Sequence, residues 1–224
     1  ALTRTDRIDD SPSAWSQAAQ HLAAATEYNR QADQAAGIPH VTRGTTHVSV
    51  VDADGMVASM TTSNGSGSGS FIPGLGVHLN NMLGEEDLNP GGFHSLPPGL
   101  RMGSMMSPTV VRRADDTVLA MGTGGSERIR SALFAVLLRS VDLEMSADEA
   151  IAAPRLHPEP GRLQLEPGWG PGLSREVGHA LQVNTWDHPD IFFGGVHAVM
   201  RRPDGSVQAV GDPRRGGATA VVSP

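Results

Sequence analysis

The sequence has no cysteine, so this chain has no disulfide bond, thiolate nucleophile or zinc–thiolate site. Aromatic residues make up only 4% of its 224 residues, whereas glycine (27) and proline (16) are abundant, which is typical of a fold with many turns. The formal net charge is −7 and no basic segment is visible, so neither nucleic acid nor an acidic membrane surface is an expected partner. No apolar run approaches the ~20 residues of a membrane span, and no stretch has the pattern of a signal peptide.

The chain divides by pattern at about residue 44. Before this point, Ser11-Pro12-Ser13 has the features of a helix start, and an alanine-rich periodic stretch predicts a helix over about 13–36, which Gly37 and Pro39 end. Residues 38–44 are expected to be a linker. We therefore expect a tail or pro-segment over 1–44 and a domain over 45–224. Because residue 1 is alanine, we also expect the chain to be part of a longer precursor.

After residue 44 the pattern predicts paired strands alternating with helices. The strand pairs, each joined by a short polar turn, are 47–52 with 56–62, 109–113 with 117–122, and 195–201 with 206–211. The predicted helices are 127–141, 146–153 with a Ser146…Glu149 capping box, and 174–183. The Gly/Ser-rich stretch 63–76 is compatible either with a flexible linker or with an ordered glycine-rich turn. The alternation predicts antiparallel sheets covered by helices.

The tetrapeptide Gly44-Thr45-Thr46-His47 at the start of the first strand carries the strongest chemical signal. If the Gly44–Thr45 bond is cut, Thr45 has both a hydroxyl nucleophile and a free α-amine, whose ordinary pKa of about 8 suits a general base near neutral pH. Glycine before the threonine tolerates the backbone strain of attack on the preceding carbonyl. An ordinary strand entry would have the same sequence, so the interpretation depends on the rest of the chain.

The 9 histidines are scattered without paired spacing, so we expect no metal site. The stretch 63–76 has no lysine in the spacing of a phosphate-binding loop. We expect no cofactor.

Five motifs occur in a fixed order: Thr45-Thr46-His47-Val48-Ser49-Val50-Val51, Gly76-Val77-His78-Leu79-Asn80-Asn81, Ser107-Pro108-Thr109, Gly122-Thr123-Gly124-Gly125-Ser126 and Asp212-Pro213-Arg214-Arg215-Gly216-Gly217. Together they resemble the small, catalytic subunit of the γ-glutamyltranspeptidase family, from about Thr45 to the C-terminus. The resemblance implies an α+β fold, the four-layer αββα sandwich of N-terminal-nucleophile hydrolases. It also implies self-cleavage between Gly44 and Thr45, and that residues 1–44 are the tail of a larger subunit.

The resemblance also implies roles for particular residues. Thr45 is the expected nucleophile. Gly124 and Gly125, between a predicted strand and a predicted helix, are expected to form the oxyanion hole. Thr62 and Asn64 match a Thr-x-Asn pair in which the threonine hydrogen-bonds the nucleophile and the asparagine contacts the substrate. Ser63 is the alternative to Thr62.

The expected donor-binding residues depart from the family pattern. Where the family has polar groups for the donor's ammonium, this chain has Met82 and Glu85. Where it has two serines for the donor's carboxylate, this chain has Ser104 and Met105. Glu85 and Ser104 each keep one of the two polar contacts expected for a charged group of the donor. Burying such a charged group without its other contact costs binding free energy.

The expected function is therefore acyl transfer from γ-glutamyl amides, such as glutathione-like donors, through an ester on Thr45 to water or an amine acceptor. The altered residues leave a broader amide acylase open. A non-catalytic relative that serves as a binding fragment is the other alternative. The expected partners are a small-molecule donor and acceptor, and a large subunit of the same precursor.

Overall fold

The computed structural model describes residues 44–222, which fall into two compact units. The loop unit holds Gly44 and Asn64–Glu85, and the sheet unit holds Thr45–Ser63 and residues 86–222. The helix predicted over 13–36 and the linker after it lie outside the described residues, apart from Gly44.

The sheet unit begins with a β-hairpin. Strand β1 spans Thr45–Val51 and strand β2 spans Val57–Ser63, and the two pair antiparallel across the turn that contains Asp54-Gly55. Gly55 has a φ of +86°, a conformation that favours glycine. The first predicted strand pair is therefore confirmed.

A four-stranded antiparallel sheet lies against this hairpin. Its strands β5 (Thr109–Arg112), β6 (Val118–Gly124), β10 (Gly195–Arg201) and β11 (Val207–Val210) are ordered β11-β10-β6-β5. The other two predicted strand pairs are thus confirmed, and the pairing of β6 with β10 joins them into one sheet. Strand β1 packs on both β6 and β10, so the sheet unit contains two stacked sheets.

Two helices cover the opposite face of the four-stranded sheet. Helix α1 spans Arg128–Val141, and helix α2 spans Ala147–Ala152 and begins with the predicted capping box of Ser146 and Glu149. Their apolar residues pack with those of β6 and β10 into one core; its fully or nearly fully buried members are Leu119, Met121, Ile129, Ala132, Leu133, Val136, Ala147, Ala150, Ile151, Val196, Ala198 and Met200. Phe134 of α1 is exposed although it is aromatic. It follows the buried Leu133 by one residue, so its side chain points about 100° away around the helix.

The segment after α2 differs from its prediction. Helix α3 spans Pro171–Val177, not 174–183, and Gln182–Thr185 forms strand β9. Pro171 stands at the first helical turn, where a proline is tolerated, and Gly178 follows the last residue. Strand β9 pairs parallel with β8 (Arg162–Leu165), which pairs antiparallel with β7 (Leu156–Glu159). The sequence pattern did not predict this three-stranded sheet.

The loop unit contains the glycine-rich stretch in a hydrogen-bonded form. Short strands β3 (Phe71–Ile72) and β4 (Val77–His78) pair antiparallel. Ser68 N donates to the Leu79 carbonyl, and Leu79 N donates to the Ser70 carbonyl. The stretch therefore has a defined backbone pairing, which favours the ordered turn over the flexible linker. In residues 44–222, no helix is long and apolar enough to cross a membrane.

Candidate active site

Thr45 is the first residue of β1, and its side chain faces the four-stranded sheet. Alternate residues of a strand point to opposite faces, and Thr45, His47 and Ser49 are more buried than the residues between them. Ser63 is the cross-strand partner of Thr45, and the two hydroxyl oxygens are 2.8 Å apart. A hydrogen bond between these hydroxyls fixes the direction of the Thr45 oxygen within the sheet unit.

Gly124, the last residue of β6, lies directly beneath Thr45. A Cβ atom at Gly124 would stand 2.9 Å from Thr45 Cβ and 3.1 Å from the Thr45 carbonyl oxygen. Real Cβ atoms essentially never come so close, so only glycine lets Thr45 approach the sheet in this way. Gly125 has a φ of +143°, and a Cβ there would stand 3.0 Å from Gly194 Cα. Both glycines are therefore required by local geometry.

The next inward residue of β1, His47, lies over the next glycine of β6. A Cβ atom at Gly122 would overlap the imidazole ring of His47. The ring nitrogens of His47 are each 2.8 Å from a hydroxyl oxygen, Nδ1 from Thr61 and Nε2 from Ser49. Burial, together with the positive form of His197, lowers the pKa of His47 to about 4. His47 is therefore neutral at physiological pH and orients the hydroxyls of both strands.

The turn after β11 is tied to the site by buried charges. The Asp212 carboxylate is fully buried and forms ion pairs with Arg155 and Arg214. It also accepts a hydrogen bond from Val196 N at 3.0 Å. Arg214 in turn makes a two-point contact with the buried carboxylate of Glu166, at 2.7 Å and 2.6 Å. Each charge has an opposite partner, as burial requires, and the turn is held against β10.

Several expected site residues lie elsewhere on the sheet unit. Thr62 pairs with Thr46, on the opposite face of the hairpin from Thr45, and is exposed. Ser63 therefore makes the contact with Thr45 that was expected of Thr62. Ser104 is exposed, and its hydroxyl accepts a hydrogen bond from Met106 N at 3.1 Å. Met105 packs against the buried core, so this position makes an apolar contact and supplies no hydroxyl group.

The other expected residues lie in the loop unit. Gly44 N donates to the Gly65 carbonyl at 3.0 Å, and Asn64 N donates to the Gly44 carbonyl at 3.1 Å. Gly65 has a φ of +64°, and a Cβ there would overlap the side chains of Asn81 and Glu85. Within this unit, the Glu85 carboxylate thus lies against the backbone that follows Asn64.

Sequence reasoning gave no role to Arg155, Glu166 or the Asp212-Pro213-Arg214-Arg215 turn. The turn was visible as a motif, but its buried partners are 48 or more residues away in the sequence. No local pattern signals such a pairing. Within residues 44–222, no group of three or more His, Asp or Glu side chains is placed to hold a metal ion.

A family model described as gamma-glutamyltranspeptidase matches residues 2–222 of the chain. The glutathione hydrolase proenzyme of Pseudomonas aeruginosa is 32% identical over 201 residues, covering 80% of this chain and 35% of that protein. The acylase ACY 1 proenzyme of Pseudomonas sp. strain SE83 is 33% identical over 184 residues, covering 80% of this chain and 32% of that protein. The chain therefore spans about a third of the length of these curated relatives.

Solved structures give the same result for the fold. The γ-glutamyltranspeptidase of Pseudomonas nitroreducens, complexed with L-DON, matches with a TM-score of 0.66 at 28% identity, covering 80% of this chain and 100% of that chain. The transpeptidase CapD of Bacillus anthracis matches with a TM-score of 0.64 at 28% identity, covering 79% of this chain and 99% of that chain. The expected fold class, the α+β sandwich of N-terminal-nucleophile hydrolases, is confirmed. The family match over nearly the whole chain, together with these likenesses, shows that the protein belongs to the γ-glutamyltranspeptidase family.

Proposed function

We propose that this chain carries the catalytic part of a self-processing γ-glutamyl acyltransferase or hydrolase, with Thr45 as the nucleophile. The observation that supports this most is the geometry of Thr45 in the sheet unit. Its hydroxyl is 2.8 Å from that of Ser63, and the side chain lies over Gly124, where a Cβ would clash. These contacts hold Thr45 against the end of β6, next to the amide of Gly125 that we assign to the oxyanion hole.

Self-cleavage is the first proposed reaction. The Thr45 hydroxyl oxygen attacks the Gly44 carbonyl carbon, the carbon–nitrogen bond breaks, and the Thr45 nitrogen takes up the hydroxyl proton. Water then hydrolyses the resulting ester, which leaves a Gly44 carboxylate and a free α-amine on Thr45. Nucleophile and base then belong to one residue.

Turnover repeats the same chemistry on a donor. The α-amine accepts the Thr45 hydroxyl proton as the oxygen attacks the γ-glutamyl amide, and it passes the proton to the leaving amine. An acyl ester on Thr45 remains, and water or an amine acceptor removes the acyl group. Negative charge develops on the donor's carbonyl oxygen, and we assign its stabilisation to the amides of Gly124 and Gly125.

Donor binding and partner subunit are parts of the same proposal. Asn64, Glu85 and Ser104 are the proposed contacts to the donor. The matched relatives are named as proenzymes, which supports a large subunit from the same precursor as the partner that completes the site. No cofactor takes part in the proposed reaction.

Processing of the precursor tests the nucleophile. Intact-mass measurement should show cleavage between Gly44 and Thr45 in the natural protein, a single uncut polypeptide in Thr45→Ala, and normal cleavage in the control Thr46→Ala. Thr46 is adjacent but faces away from the four-stranded sheet. Normal processing of Thr45→Ala would overturn the assignment, and an uncut natural precursor without amidase activity would favour the non-catalytic alternative.

The hydroxyl partner of Thr45 gives a finer test. Ser63→Ala should lower kcat for a γ-glutamyl anilide by about 2- to 10-fold, because one hydrogen bond contributes roughly 0.5–1.5 kcal/mol. Thr62→Ala should leave kcat unchanged, because Thr62 is on the other face of the hairpin. The opposite ranking of the two variants would restore Thr62 to the role first expected of it.

A broader amide acylase is the second candidate, and Met105 favours it. This residue stands where the family has a carboxylate-binding serine and packs against the core, and one matched relative is named as an acylase. The test compares a γ-glutamyl anilide with the 4-aminobutyryl anilide, which lacks the α-carboxylate. Values of kcat/KM within about 10-fold of each other support the broader function, and a preference above about 100-fold for the γ-glutamyl compound excludes it.

A further inference from the structure

Arg215 lies in a turn whose backbone is fixed against strand β10. The Asp212 side chain accepts from Arg214 N at 2.9 Å, and Gly217 N donates to the Asp212 carbonyl at 2.9 Å. Gly216 closes the turn with a φ of +59°. Because the Asp212 carboxylate also binds Val196 N, the position of Arg215 relative to β10 is set by the backbone and not by its own side chain alone.

The side chain of Arg215 crosses β10 at a glycine. A Cβ atom at Gly195 would overlap the Cβ, Cγ and Cδ atoms of Arg215. Gly195 is the cross-strand partner of Gly124, the residue beneath Thr45. Gly124 of β6 and Gly195 of β10 are therefore neighbours on one face of the sheet. The Thr45 side chain lies over Gly124, and the Arg215 side chain lies over Gly195.

The guanidinium group reaches the main chain of Thr45. Arg215 Nη2 donates a hydrogen bond to the Thr45 carbonyl oxygen at 3.4 Å. Within one residue the nitrogen and the carbonyl oxygen are only ~3 Å apart. The cation therefore lies within roughly 7 Å of the nitrogen that becomes the α-amine after cleavage.

We propose that Arg215 is a positioning residue for Thr45: its guanidinium anchors the Thr45 carbonyl and keeps the freed α-amino group in its neutral, proton-accepting form. The inference rests on the proposed function, because only a cleaved Thr45 has this amine. Arginine stays charged at all relevant pH values, and a nearby like charge disfavours an ammonium group.

Other charged or titratable groups face the same region. On β1, His47 is neutral at physiological pH, since its pKa is lowered to about 4. On β10, burial is the main cause that lowers the pKa of His197; Arg215 and Arg155 lower it further, and Asp212 opposes them. In the turn, Asp212 is paired with Arg155 and Arg214. Burial is the largest cause of the lowered pKa of both histidines. Arg215→Gln leaves this burial in place, so we assign the main shift of the acidic limb to the α-amine.

The test is the pH profile of kcat/KM for the processed enzyme with a γ-glutamyl anilide. Arg215→Gln should move the acidic limb about one unit towards higher pH, so that activity falls about 10-fold near pH 6.5 and recovers near pH 9. Arg215→Lys retains the charge and should keep the limb close to that of the natural enzyme. The control Arg112→Gln removes an exposed arginine of β5 and should change nothing.

Gly195→Ala gives an independent route to the same result, because the added methyl group displaces the Arg215 side chain without removing its charge from the protein. It should also move the acidic limb towards higher pH. If Arg215→Gln does not accumulate as folded protein, Gly195→Ala and Arg215→Lys together test the inference. An unmoved limb in both Arg215→Gln and Gly195→Ala overturns the inference, as does an equal loss at every pH. Processing of Thr45→Ala reports on the proposed function separately, so the two failures are distinguishable.

Discussion

The two faces of the four-stranded sheet contrast sharply. Towards α1 and α2, strands β6 and β10 present Leu119, Met121 and Val196, all almost fully buried. Towards the β1–β2 hairpin, the same strands present Gly122, Gly124 and Gly195, and the facing side chains lie directly over these glycines. One face holds the fold together through apolar packing, and the other makes room for polar groups.

The largest expected effect is on the apolar face. Leu119→Ala should lower the free energy of unfolding by about 2–5 kcal/mol, because it leaves a cavity in a closely packed core. The kcat of the molecules that remain folded should stay within about two-fold of the natural value. Urea denaturation and kcat at low temperature measure the two quantities, with Val110→Ala, at a 52% exposed position of β5, as the control. A large loss of kcat with unchanged stability would contradict the division between the two faces.

On the glycine face, Gly125→Ala should lower kcat by about 100-fold or more, because an added Cβ crowds Gly194 and turns the proposed oxyanion-binding amide. Gly161→Ala is the matched control: Gly161 also has a positive φ, +71°, but a Cβ there meets nothing within 4 Å. Both variants carry backbone strain, and only the first should lose turnover. Similar kcat values for the two would make Gly125 a structural turn.

The smallest expected effect concerns His47. Its folded pKa of about 4 lies below the ordinary value of 6.5, so between these values the unfolded state binds the proton and the folded state does not. The free energy of unfolding should therefore fall as the pH is lowered from about 6.5 towards 4. In His47→Gln this fall should be shallower. Equal slopes in the natural protein and His47→Gln would show that folding does not lower the pKa of His47.

Local patterns predicted much of the sheet unit. Alternation and turn residues gave the three strand pairs, and periodicity with a capping box gave α1 and α2. In the three-stranded sheet, β9 pairs with β8 across an intervening helix, and such pairing leaves no local signal. Strands β7 and β8 form a short hairpin around Pro160-Gly161, and this local turn signal was not recognised. The boundary of α3 was set too late because Pro171 at its first turn was not recognised as the start.

The candidate site was predicted as a set of residues but not as a geometry. Thr45, Gly124 and Gly125 were identified from motifs, yet the choice between Thr62 and Ser63 needed the register of the hairpin. The close packing of Arg215 on Gly195 could not be predicted from the sequence, because it depends on the turn that Asp212 holds in place. The strand register and the contacts between strands that are distant in the sequence determine which side chains meet. The residues next to each of these side chains in the sequence do not reveal those contacts.

In strand β1 of the hairpin, polar residues face the four-stranded sheet and hydrophobic residues face outwards, which is the reverse of the usual pattern. In β1 the odd positions, from Thr45 to Ser49, carry hydroxyls or imidazole and face the sheet, whereas Val48 and Val50 face outwards and are 43% and 52% exposed. A rule that buries hydrophobic residues would turn the even-numbered residues of β1 towards the sheet, which is the wrong face. Because a strand alternates with a period of two, a single-residue deletion between Thr45 and Val51 would move Thr45 to the outer side while leaving the composition almost unchanged. In this strand, the register therefore decides whether the proposed nucleophile faces Gly124 or the outer side of the hairpin.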